Sequence, residues 1–212
     1  MRAGARAMAP LLPAVLAFGV SFGVLARAAG MGAVAPVVMS ATTFAGSAQF
    51  AAASILGNAG TVAAAIVAAV LLNGRYAPMS VAAGPGFGGP TWRRLFTSQL
   101  IVDESWALAA RGGGRFDVPY LLGAGLTLYP FWVGGTAIGV LAGDFVGDPE
   151  RLGLDAAFPA LFLALLAGQI EGRRGAAAAL LGGVIAVALF PWAPAGVLII
   201  VAAAACLIGL RR

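Results

Sequence analysis

Residues 33–56 read AVAPVVMSATTFAGSAQFAAASIL, an unbroken run without a single charged side chain. As a helix rising 1.5 Å per residue it measures about 36 Å, enough to pass through roughly 30 Å of hydrocarbon. Its middle is not what hydrocarbon favours. Thr42, Thr43, Ser47 and Gln49 stand there around Gly46. A buried amide or hydroxyl without a partner costs roughly 1 to 3 kcal/mol, and more in lipid. Such a cluster is therefore either satisfied within the protein or holds something.

The remaining sequence repeats the apolar theme. Of 212 residues, 61% are hydrophobic and 10% charged, against about 25% charged in ordinary soluble domains. Further apolar runs lie at 10–26, 60–72, 95–110, 118–142, 156–170, 176–190 and 195–210. These predict an all-α polytopic integral membrane protein, a bundle of seven or eight transmembrane helices, some broken or short. One transmembrane domain over residues 1–212 is expected. The run at 60 is short unless it continues to Val81, and those at 33 and 118 are long enough to bend or split. Arg2 and Arg6 before an apolar stretch ending in Ala26-Arg27-Ala28 imitate a secretory signal. An uncleaved first helix inserts by the same signals and is the reading taken.

All thirteen basic residues are arginine, and the formal charge is +5. They stand in twos and threes at the ends of apolar runs, which marks topology and not a phosphate-binding patch, so no nucleic acid is expected. Eight helices place both termini in the cytoplasm and the acidic residues Asp144, Asp148, Glu150 and Asp155 outside. The run 95–110 resists this scheme, because Arg93 and Arg94 precede it and Arg111 and Arg115 follow it. Either one arginine pair lies outside or the segment does not cross. There is no histidine and one cysteine, Cys206, so metal clusters, haem, disulfides and Ser/His or Cys/His catalysis are not expected. No cofactor and no enzymatic activity are predicted. The many glycines let helices approach closely, and Gly84 through Pro90 read as a loop.

Three polar groupings interrupt the apolar course. In the first, Thr43, Ser47, Phe50 and Ser54 share a face of a continuous helix, with Gln49 beside it. Hydroxyls bonded to the carbonyl one turn earlier would account for much of it without a ligand, but not for the Gln49 amide. The second is Asn73-Gly74-Arg75-Tyr76, where an arginine snorkelling to the interface is the plain alternative. The third is Gln99 with Asp103 and Glu104, inside the run from Leu95. Continuous helical spacing puts Gln99, Asp103 and Trp106 on one face, and carboxylates there cost a few kcal/mol each unless paired or hydrated. A structural ion pair with Arg75 is the alternative to a functional carboxylate. Together the groupings predict one polar cavity in the first half of the bundle.

In this order, Phe44-Ala45-Gly46-Ser47-Ala48-Gln49-Phe50, the Asn-x-Arg at 73–75, Asp103-Glu104 and the Ala-Phe-Pro-Ala-Leu-Phe-Leu-Ala-Leu-Leu at 157–166 resemble the AzlC-like branched-chain amino acid permeases. The resemblance covers nearly the whole chain, with Tyr76 where relatives usually carry histidine. It implies the large subunit of a two-component exporter of the branched-chain amino acids leucine, isoleucine and valine, with methionine as a further candidate substrate, in a bacterial inner membrane. It also implies a small AzlD-like membrane partner.

Against that resemblance, the residues acquire roles as a hypothesis. A helix break at Ala45, Gly46 and Ser47 offers backbone N–H groups and a hydroxyl to a substrate carboxylate, with Gln49 alongside. Asp103 or Glu104 takes the ammonium or couples protons, Phe44 and Phe50 wall the aliphatic part, and Asn73 with Arg75 balances the charge or assists the carboxylate. The rivals are a non-transporting membrane scaffold and a small-solute channel.

Overall fold

The computed structural model describes residues 1–57, 59–112, 115–143, 163, 166–167, 170, 172–192, 201–202 and 205. The acidic residues Asp144, Asp148, Glu150 and Asp155, most of the 157–166 motif, Cys206 and most of the runs at 156–170 and 195–210 lie outside them. Ten α-helices are described: α1 Arg2–Met8, α2 Leu12–Ala28, α3 Val34–Thr42, α4 Gly46–Gly57, α5 Val62–Asn73, α6 Tyr76–Ala83, α7 Thr91–Ser98, α8 Asp103–Ala109, α9 Val118–Ala142 and α10 Gly172–Leu189. No strand occurs among the described residues beyond an isolated bridge between Ala110 and Phe116.

Among the described residues, four helical stretches are long and apolar enough to cross a membrane: Arg2–Ala28, Val62–Gly86, Val118–Ala142 and Gly172–Leu189. The chain is an all-α integral membrane protein, and seven or eight membrane helices, some broken or short, fit its architecture.

The first and third of these stretches run parallel and touch backbone to backbone. A Cβ on Gly19 would stand 2.7 Å from the Trp132 carbonyl oxygen, and one on Gly135 would stand 2.6 Å from that of Leu16. Gly4 lies against Tyr120 and Gly143 against Arg27, so a nearly constant sequence offset pairs the two stretches along their whole length. Close packing through small residues is what joins helices where lipid removes the hydrophobic drive. Met1 and Val118 thus mark one membrane face, here the N-terminal face, and Ala29 and Gly143 mark the opposite one.

Between these stretches lie two broken helices, and both turn back. A tight turn with Gly30 and Gly32 at φ +79° and +74°, conformations glycine adopts without penalty, starts α3 at the opposite face. After the break at 43–45, α4 runs back along α2: Phe50 meets Phe22 with ring centroids 5.7 Å apart, and Gly57 lies beside Ala29. Helices α3 and α4 therefore form a hairpin that enters and leaves at the opposite face. Helices α5 and α6 then cross, kinked at Gly74–Arg75, and Gly86 arrives beside Val118 at the N-terminal face. From there α7 rises to a break at 99–102, where Leu100 touches Gly125. Helix α8 descends again, so that the Asp117 N–H donates to the Ala109 carbonyl at 3.1 Å.

The second hairpin resolves the arginine conflict. The run 95–110 does not cross, so Arg93, Arg94, Arg111 and Arg115 share the N-terminal face with Arg2 and Arg6. Broken backbone in a membrane has to be bonded by protein, and both tips are. At the first, Phe44 takes φ +46° and the Gln49 side chain accepts the Ala45 N–H at 3.2 Å. At the second, Ser105 Oγ accepts the Val102 N–H at 3.1 Å and donates to the Leu100 carbonyl at 2.6 Å. Phe44 and Val102 from the two tips join Val15, Phe18, Phe22, Leu128 and Trp132 in the main apolar core.

Candidate functional site

The two tips meet at the kink of the crossing helix, half-way through the bundle. Arg75 Nη2 donates to Ser47 Oγ in the first turn of α4 at 2.6 Å and to Asp103 Oδ2 at the start of α8 at 2.8 Å. The two ionised side chains are about one fifth exposed. Arg75 also lies over the Tyr76 ring, 5.2 Å from its centroid. A further bond ties hairpin to hairpin, Gln99 Nε2 donating to the Thr42 carbonyl at 2.5 Å. The three polar groupings of the sequence are thereby one assembly, and the ion pair considered as an alternative is present.

Against this assembly lies a central cavity. Gly46 and Phe44 from the first hairpin, Val102, Asp103 and Glu104 from the second, and Tyr76 from the kink line it together with Val15, Phe18, Leu128 and Trp132, which supply an apolar wall. Free space for a water-sized sphere is about 20 Å³, close to what one water needs. The first-turn N–H groups of α4 give its end at Gly46 a partial positive character. The carboxyl groups of Asp103 and Glu104 belong to residues that line the same cavity. The walls thus offer positive and negative ends with an apolar flank.

Gln49 stands behind the cavity, fully buried. Trp132 Nε1 donates to its Oε1 at 3.1 Å, and its Nε2 donates to Ser40 Oγ at 2.7 Å. Thr136 Oγ1 donates to the Trp132 carbonyl at 2.9 Å, so its single hydroxyl hydrogen is spent there. The 2.8 Å contact between Ser40 and Thr136 therefore has Ser40 as donor. Trp132, Gln49, Ser40 and Thr136 close a directional ring that clamps the first hairpin onto α9.

Several sequence expectations are revised. The first break falls at 43–45 and not across Ala45, Gly46 and Ser47; Gly46 opens α4 instead. Thr43 consequently lies outside the helix that carries Ser47, Phe50 and Ser54, and the single face is lost. Gln99, Asp103 and Trp106 share no face either, because the chain breaks between the first two; Trp106 packs on Phe116 at 4.9 Å. Phe44, Gly46, Asp103 and Glu104 line the cavity, with Ser47 and Arg75 bonded to its edge. Ala45 packs on Leu72, and Phe50 packs on Phe22. Asn73 ends α5, its buried Oδ1 without a hydrogen-bond partner among the described residues. Sequence reasoning passed over Trp132 and Thr136; a tryptophan and a threonine deep within an apolar run, beside Gly134-Gly135, were the available signal.

The fold and this polar junction define a polytopic helical membrane protein built on two half-membrane hairpins. Residues 10–146 match the AzlC protein family, and the chain belongs to it. It is 26% identical to the branched-chain amino acid transport protein AzlC of Bacillus subtilis over 163 residues, 76% of this chain and 64% of that protein. An uncharacterized membrane protein of Archaeoglobus fulgidus is 32% identical over 84% of this chain and 80% of its own length. The inner membrane protein YgaZ of Escherichia coli is 25% identical over 88% and 81%. No solved structure matches the chain.

Proposed function

We propose that this protein is a membrane transporter subunit that exports branched-chain amino acids, leucine, isoleucine and valine with methionine at the edge of its range. One observation carries the reading: the central cavity is lined at once by the amino end of α4 at Gly46, by Asp103 and Glu104, and by an apolar wall. A zwitterion with an aliphatic side chain needs those three features. Its carboxylate is received at Gly46 and Ser47 with help from Arg75, and its ammonium by Asp103 or Glu104. Phe44, Phe18, Leu128 and Trp132 surround the side chain. The name of the Bacillus relative supports the substrate class.

In this reading residues 1–212 form one transporter domain in a bacterial inner membrane, both termini are cytoplasmic, and a small AzlD-like membrane subunit completes the exporter. Asp103 or Glu104 couples export to proton entry, which supplies about 2.3 kcal/mol per 100 mV for each charge. The test is efflux of labelled leucine, valine and methionine from cells expressing the chain with and without a candidate small subunit. Saturable efflux that an uncoupler abolishes is expected. Non-saturating flux would favour a channel, and no flux with any partner a scaffold.

A further inference from the structure

The central cavity as it stands is too small for leucine, so one hairpin has to open. We propose that the groove between α6 and α7 is a second substrate site, the N-terminal-face vestibule through which a small zwitterionic amino acid reaches the central cavity, and that Ile101 and Val102 are the partition between the two. The proposal rests on the exporter reading for its ligand.

The groove holds about 300 Å³, within the size range of small-molecule sites. Ser80, Thr91, Ser98 and Arg94 line it together with Phe87 and Ile101. A guanidinium and hydroxyls beside an aromatic ring suit a carboxylate attached to an aliphatic body. Because Thr91 and Phe87 follow Gly86, which lies beside Val118, the groove belongs to the N-terminal face.

The partition is two side chains thick. Val102 is extended, with φ −125° and ψ 168°, so neighbouring side chains point to opposite sides. Ile101 packs with Ala83, Ala109 and Leu121 next to the groove, while Val102 belongs to the core around the central cavity. Ser105, fully buried, pins this tip to α8 through the Val102 N–H and the Leu100 carbonyl.

The two hairpins differ in how firmly they are held. The first is clamped by the ring through Gln49. In the second, α7 has no buried residue and is flanked on its other side by a further space of about 700 Å³ against α3 and α9. The ring ties the first hairpin to α9 through buried side chains and α7 has no such tie, which puts admission at the N-terminal face.

The experiment uses the full chain in a Cys206→Ala background, in vesicles of both orientations, with a negatively charged, membrane-impermeant thiosulfonate. Ser98→Cys is expected to react quickly from the N-terminal face and Val102→Cys slowly from the same face. Adding Ser105→Ala is expected to speed the Val102→Cys reaction by about tenfold, the effect of losing a buried hydrogen bond. The rate at Ser98→Cys serves as the folding control and stays unchanged. Ile101→Ala, which thins the partition without touching Ser105, is expected to act likewise. Reaction of Val102→Cys from the opposite face, or indifference to both added substitutions, overturns the vestibule. If the rates behave as stated but leucine protects neither cysteine, the entrance stands and the leucine reading fails. If Asp103→Asn abolishes leucine export while the partition variants change nothing, the vestibule alone falls.

Discussion

Arg75 Nη2 stands 2.8 Å from Asp103 Oδ2, joining the kink of the crossing helix to the first residue of α8. The same nitrogen reaches Ser47 on α4, so a single guanidinium holds both hairpins at the wall of the central cavity. Loss of the guanidinium would release both α4 and α8 from the kink, and its partner Asp103 is a carboxylate that also lines the cavity.

Asp103→Asn keeps an acceptor for Arg75 and removes the charge. A hydrogen bond to a charged group contributes about 1.5 to 3 kcal/mol, so leucine efflux from proteoliposomes is expected to fall at least about tenfold. The fold is expected to survive, since the amide fills the same space. Efflux at the unsubstituted rate would remove Asp103 from the site.

Gln49→Leu preserves volume but strands the Trp132 indole N–H, the Ala45 N–H and Ser40 Oγ. The expected destabilisation is roughly 2 to 5 kcal/mol, a fall in Tm of about 5 to 15 °C for a protein of this size. Thermal unfolding in detergent measures it. Gln99→Leu, which breaks one bond at an exposed position, is expected to shift Tm by no more than about 3 °C.

How much of this could be read in advance follows from the range of each interaction. Run lengths and missing charges are local, and they declared a helical membrane protein. The arginines on both sides of 95–110 posed the right alternative, because a re-entrant hairpin leaves both flanks on one face. The first break was misplaced by two residues, since an evenly apolar run has no periodicity to mark where a helix stops, and Phe44 at positive φ is held by tertiary packing. Gln49 was recognisable as needing partners, but Trp132 lies 83 residues away and the Ser40–Thr136 contact joins positions 96 apart. Spacing along one helix could not supply them.

Adjacent glycines separate packing from helix propensity. A Cβ on Gly135 would meet the Leu16 carbonyl at 2.6 Å, whereas one on Gly134 would meet nothing within 4 Å. Gly135→Ala has to push α9 away from α2 and is expected to cost about 2 kcal/mol or more. Gly134→Ala is expected to be neutral or to stabilise by up to about 1 kcal/mol, the helical advantage of alanine over glycine. Equal effects in a thermal melt would show that the two long helices are not in backbone contact.

The hairpins themselves are tested by sidedness. Ala33, Val62, Gly88 and Arg115 are exposed and lie just outside helix ends or at a helix start. If α3–α4 and α7–α8 both turn back, single cysteines at Ala33 and Val62, in a Cys206→Ala background, react from one face of the membrane. Cysteines at Gly88 and Arg115 react from the other, together with a tag placed before Met1. A chain whose apolar runs all crossed in turn would put Gly88 and Arg115 on opposite faces, because 95–110 would lie between them as a full span. That pattern would also leave one arginine pair against the charge rule and carry Asp103 away from the level of Arg75. Impermeant labelling of intact and inverted vesicles decides between the two arrangements, and labels at Gly88 and Arg115 on opposite faces would rule out the second hairpin.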